Sequence, residues 1–180
     1  VAVADLAASF QAAVVDVLTD KALQFIERNQ AKPFLCYVPF TTPHSPFSVP
    51  PEDWKRFKDM PVTQSATVAK DEEPDATRCV LAMLENQDRN VGRILRKLQE
   101  LNLEDDTIVA YFSDNGPNTA RWNGGMKGKK GMTDEGGVRS PLFIRWPGKI
   151  AAGTQVKPIA GVIDLAPTLH ALRSEEHTSE

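Results

Sequence analysis

Cysteine is scarce in this 180-residue chain: Cys36 and Cys79 are the only two. They make no disulfide framework and no metal-ligand spacing, and they leave the redox compartment open. Long apolar runs are also missing. No stretch approaches the ~20 residues of a membrane-spanning helix, so no span is expected. Charge of one sign is not in excess, and a formal net charge of -3 favours neither nucleic acid nor an anionic membrane as partner. The start, Val1-Ala2-Val3-Ala4-Asp5, has neither the basic flank and apolar core of a signal peptide nor an initiator Met. It reads as an interior point of a longer chain. Internal repeats and a domain linker are likewise absent. What remains is the composition of an ordinary globular protein, 41% hydrophobic and 25% charged, long enough for one domain with a sizeable core.

Helical spacing of Leu18, Ala22, Phe25 and Ile26, with Thr19-Asp20 as N-cap, predicts a helix ending before Pro33. Phe34-Leu35-Cys36-Tyr37-Val38 predicts a short buried strand, and the proline-rich stretch 41–51 excludes regular structure. Residues 61–74 are polar and read as a surface loop. Met83, Val91, Ile94, Leu95, Leu98 and Leu101 mark one face of a long helix from about Asp75 to Leu101. A turn over 102–106 leads into a strand at Thr107–Phe112, and Pro141–Trp146 is a further strand ended by Pro147-Gly148. Asp164 caps a last helix through Leu165, Leu169 and Leu172. Strands alternating with helices predict an α/β fold with a mostly parallel sheet.

The strand at Thr107–Phe112 ends in Ser113-Asp114-Asn115-Gly116. Open α/β sheets place their sites at the carboxyl ends of strands. The side-chain oxygens of Asp114 and Asn115 suit Ca²⁺ or Mg²⁺, although Asp-Asn-Gly is equally good turn chemistry, and two ligands do not fill a shell of 6–8 oxygens. Downstream, Lys130 sits in a glycine-rich loop, where its ammonium can meet an oxyanion. Lys127 and Lys129 are rivals by proximity, and a basic surface loop is the plainer reading. Gly136 and Gly137 let the backbone bend close to the site. His44, in Thr42-Pro43-His44-Ser45-Pro46, follows a predicted strand and so belongs near the same edge, although a lone histidine is usually a surface or packed residue. His170 reads as structural. Arg139 either binds an anion or anchors the loop through an ion pair. Trp122 and Trp146 are pocket walls or packing. A cation beside an oxyanion-binding lysine implies hydrolysis of a sulfate or phosphate ester.

Together, Ser113-Asp114-Asn115-Gly116 and the run Lys130-Gly131, three residues, Glu135-Gly136-Gly137 resemble the sulfatase family, the formylglycine-dependent branch of the alkaline phosphatase superfamily. The resemblance covers most of the chain and implies an alkaline-phosphatase-like α/β fold, here incomplete. It implies that Asp114 and Asn115 are metal ligands for Ca²⁺, with Mg²⁺ as alternative, and that Lys130 binds sulfate. His44 matches a family Pro-His-x-Pro loop, which implies a contact to a sulfate oxygen and help to the leaving group. Glu135 is read as fixing the loop by hydrogen bonding. The family nucleophile is a formylglycine made within Cys/Ser-x-Pro-x-Arg. Cys36 has its proline one position too late and Cys79 has none, so both read as buried core residues. The nucleophile and the remaining metal carboxylates are therefore expected upstream, and the isolated chain is expected to be inactive and to bind metal weakly.

The implied substrates are sulfate esters: aryl sulfates, sulfated glycans or sulfolipids. Periplasmic, secreted or lysosomal location follows from the resemblance alone, and oligomeric state is open. Two alternatives remain, a phosphatase or phosphonate-hydrolase relative and a catalytically dead relative that binds sulfated glycans. Residues 1–172 read as a partial catalytic domain. The tail 173–180, Arg-Ser-Glu-Glu-His-Thr-Ser-Glu, back-translates to AGATCGGAAGAGCACACGTCTGAA, a common sequencing-adapter sequence, and is expected to be non-native.

Overall fold

The computed structural model describes residues 3–65 and 71–176. Part of the predicted loop 61–74 and the last four residues of the tail lie outside them. The chain forms two compact units, Val1–Pro147 and Gly148–Glu180.

In the first unit, helix α1 (Val3–Asn29) packs on α3 (Pro74–Glu100). These two helices supply the buried apolar residues: Val15, Ala22 and Ile26 from α1, with Val80, Ala82, Met83 and Leu98 from α3. Arg93 of α3 reaches Asp16 and Asp20 of α1, closing the rim of that contact. The amphipathic pattern of α3 reads correctly to within a residue at each end. Asn102, at φ 56°, stops the helix in the left-handed conformation that asparagine tolerates. Thr19 is not a cap. It lies inside α1, fully buried, and its hydroxyl donates to the Val15 carbonyl at 2.8 Å. Such i−4 bonding lets threonine sit within a helix, which is why cap chemistry misplaced the start. A short helix α2 (Pro51–Phe57) packs on α3. It begins with proline, carries Glu52 and Asp53 in its first turn, and is held by Arg89 and Asn86 donating to Asp53 at 2.5 and 3.0 Å.

Strand β1 (Val109–Phe112) pairs with β2 (Leu142–Arg145), Tyr111 opposite Phe143, their rings stacked at 6.3 Å. The pair is antiparallel, not parallel as expected. A parallel return needs a crossover helix. The 113–141 connection carries only the one-turn α4 (Glu135–Val138) and otherwise irregular loop. Residues 34–38 form no regular element and belong to no ladder among the described residues. Their burial alternates: Phe34, Cys36 and Val38 are half-buried, while Leu35 and Tyr37 are 81% and 75% exposed. The apolar run thus covers one face rather than two. In the second unit, Asp164 is not the cap of α5 (Val162–Glu176) but lies in its first turn, where its carboxylate accepts from the Gly161 amide at 2.7 Å. His170 is exposed on it.

Cys36 and Cys79 are half-buried rather than fully buried, and burial raises both thiols above their ordinary value of 9.0. Burial, and then the charge of Asp88, raises Tyr111 above 10.0. Each group is held neutral in the fold to a higher pH than in the unfolded chain. That contribution is fully present below the unfolded values and is lost as pH rises through the folded ones. The urea midpoint is therefore expected to fall between about pH 7 and about pH 10.5. An unchanged or rising midpoint would contradict the assignment.

Candidate functional site

β1 delivers Ser113–Gly116 at its carboxyl end, and the turn is tied to the start of β2. The Ser113 amide donates to the Pro141 carbonyl at 3.3 Å, and the Ser140 hydroxyl donates to the Ser113 carbonyl at 2.5 Å. Asp114 is exposed. The Asn115 side-chain nitrogen donates to the Gly116 carbonyl at 2.8 Å, which leaves its oxygen as the acceptor for a ligand. These are hard oxygen donors of the right kind for Ca²⁺ or Mg²⁺, but only two of the number such an ion takes. Among the described residues no group of three or more His, Cys, Asp or Glu side chains gathers to complete a shell.

The lysine loop lies directly against this turn. The Gly116 amide donates to the Gly137 carbonyl at 3.0 Å, and the Lys130 amide donates to the Pro117 carbonyl at 2.8 Å. The approach is possible only without side chains. A Cβ on Gly116 would stand 1.9 Å from the Gly136 oxygen, and one on Gly137 would stand 2.3 Å from the Met132 oxygen. The double glycine therefore does bring backbone close to the site.

The loop's charges are mostly committed. Lys127 bonds Asp134 at 2.8 Å, which raises its pKa, and Arg139 bonds Glu135 at 2.6 Å. Glu135 thus fixes the loop, and Arg139 takes the anchoring role of its two readings. Lys129 and Lys130 are exposed and make no ion pair among the described residues.

His44 is exposed in the irregular proline segment. Its amide donates to Thr41 at 2.8 Å, and its Nδ1 lies 2.7 Å from the Ser45 carbonyl. A carbonyl only accepts, so Nδ1 carries the hydrogen and Nε2 is left for a ligand. The Asn118 side chain reaches the Ser45 hydroxyl at 3.4 Å, three residues beyond Asn115. All four candidates thus sit on segments that bond one another. Trp146 donates to the Asp105 carbonyl at 2.9 Å and serves structure, whereas Trp122 is 49% exposed.

One residue escaped the sequence reading. Arg121 is half-buried, its guanidinium 5.0 Å from the centre of the Phe47 ring, with Nε 3.2 Å from the Thr119 hydroxyl. No local spacing signals it, because its partners come from distant segments.

Residues 9–173 match the family model for sulfatase. The chain belongs to the sulfatase family. It is 31% identical to mouse steryl-sulfatase over 169 residues, 88% of this chain and 24% of that protein. Against human arylsulfatase A it is 43% identical over 90 residues, 47% of this chain and 18% of that one. The crystal structure of Ps i-CgsB in complex with k-i-k-neocarrahexaose matches 88% of this chain and 33% of its own, at a TM-score of 0.74 and 29% identity. This sulfatase chain therefore has the alkaline-phosphatase-like α/β fold, in part. It spans about a quarter of the length of the curated relatives it matches.

Gly116→Ala tests the close approach. The methyl group meets backbone rather than a movable side chain, so a loss of about 1–3 kcal/mol in urea unfolding is expected. Unchanged stability would show that the turn and the loop are not in contact.

Proposed function

We propose that this sulfatase chain supplies the cation-binding and sulfate-binding part of a sulfuric ester hydrolase site. The observation that carries the reading is the pair of main-chain bonds joining the Asp114-Asn115 turn to the Lys130 loop. They join a turn carrying one carboxylate and one amide oxygen to the loop of a lysine that has no ion pair among the described residues, which suits a cation and a sulfate side by side. Asp114 and Asn115 would hold the ion, which when bound supplies a positive charge against the sulfate oxygens.

Lys130 contributes its own charge to a sulfate oxygen. His44, held by its Nδ1–H bond to Ser45, presents Nε2. Once protonated, that nitrogen donates to a sulfate or bridging oxygen and passes its proton to the leaving alcohol or phenol as the ester bond breaks. Neither Cys36 nor Cys79 stands in the Cys/Ser-x-Pro-x-Arg motif, so the reading assigns the formylglycine nucleophile to another segment of the parent protein. The substrate is a sulfate ester. A sulfated saccharide is the favoured class, since the similar Ps i-CgsB was crystallised with a neocarrahexaose.

The test is kinetic. In the full-length parent, Lys130→Ala and His44→Ala are each expected to lower kcat/KM on a sulfate ester by roughly 10²–10³-fold, the range for losing one charge-stabilising group. The 180-residue chain alone is expected to show no turnover. Unaltered kcat/KM in both variants, or turnover by the chain alone, would overturn the reading. Binding of a sulfated saccharide by the parent without hydrolysis would replace it with a binding role.

A further inference from the structure

The His44 segment has no regular structure of its own. Residues 41–50 contain no helix or strand, and the local bonds at His44 reach only Thr41 and Ser45. Arg121 meets this segment at Phe47. Its guanidinium lies over the ring of Phe47, three residues beyond His44, while its edge bonds Thr119. Two further groups act on its charge, Glu72 just before α3 and Cys79 in its first turns, both favouring the charged form. The main chain repeats the connection, since Glu72 bridges Ala120 and Asn118 reaches Ser45. One side chain therefore touches the His44 segment and the strap that runs from Asn115 towards Lys130, within the electrostatic reach of Glu72 and Cys79.

We infer that Arg121 is a positioning residue: it clamps Phe47 against the 118–121 strap and so sets the orientation of His44 relative to the cation-binding turn. The inference rests on the proposed role of His44. A flat guanidinium is needed because it stacks by its face and donates by its edge together, and an ammonium cannot do both. Burial lowers the Arg121 pKa, opposed by Glu72 and Cys79, so part of its hydration has been exchanged for these contacts.

The readout is the ¹⁵N spectrum of the His44 imidazole in the 180-residue chain, together with backbone order at 44–48. In the parent sequence His44 is expected as the Nδ1–H tautomer, with order parameters near the ~0.85 of rigid backbone. Arg121→Ala and Arg121→Lys are both expected to give a mixture of tautomers and order parameters below about 0.6. Phe47→Leu removes the other half of the contact and is expected to do the same, which keeps the test open should Arg121→Ala fail to fold. Arg93→Ala breaks the pairs to Asp16 and Asp20 and is expected to lower stability while leaving the His44 spectrum unmoved. An unchanged tautomer and unchanged order in both Arg121→Lys and Phe47→Leu would overturn the clamp. No turnover enters this measurement, so its failure removes the positioning role alone. The hydrolase reading stands or falls on the kinetics of Lys130 and His44.

Discussion

Two backbone segments lie closer together at Gly116 and Gly136-Gly137 than side chains would allow, and everything at the candidate site depends on that approach. Main-chain bonds at 3.0 and 2.8 Å cross the contact and join the end of β1 to the loop bearing Lys130. Packing at this range leaves little room for adjustment, because the obstacles to a Cβ are mostly backbone atoms rather than movable side chains. The Asp114-Asn115 turn and the lysine loop are consequently set against each other by peptide geometry, not by flexible side chains. A site that stabilises charge needs its groups fixed before the charge develops.

Electrostatics then sorts the lysines that this geometry gathers. Lys127 is used by Asp134 and Arg139 by Glu135, so these pairs stiffen the loop and contribute little net field. The exposed Lys129 and Lys130 keep their charge for a ligand, and the Lys130 amide is the one bonded to the turn. As ligands of a cation, Asp114 and Asn115 would make two donors of the roughly 6–8 such an ion takes, in a chain covering about a quarter of its relatives' length.

Much of this was legible in the sequence where a pattern is local and repeated. The apolar stripe of α3 recurs over many turns, so its limits emerged to within a residue. β1 and β2 were visible as β-branched and aromatic runs beside turn residues. Asp114, Asn115 and Lys130 stood out as candidates because each sits in a short local pattern, Ser-Asp-Asn-Gly and Lys-Gly. Three things were not legible, for one shared reason. Whether Thr19 caps a helix or bonds back to Val15 depends on where the helix begins. Whether β2 runs parallel depends on the path of the 29 residues between Phe112 and Leu142. Arg121 matters through Phe47, Glu72 and Cys79, which are 74, 49 and 42 positions away. Each is set by contacts distant in sequence, and no window of neighbouring residues contains them.

The central claim is that the turn after β1 and the lysine loop form one hydrogen-bonded body. Amide hydrogen exchange at Gly116 and Lys130 addresses it directly, since both hydrogens lie in the two bonds that cross the contact. The account predicts protection of both amides to the level of the β1–β2 ladder. Exchange of either at the rate of an unstructured peptide, with the ladder still protected, would contradict it.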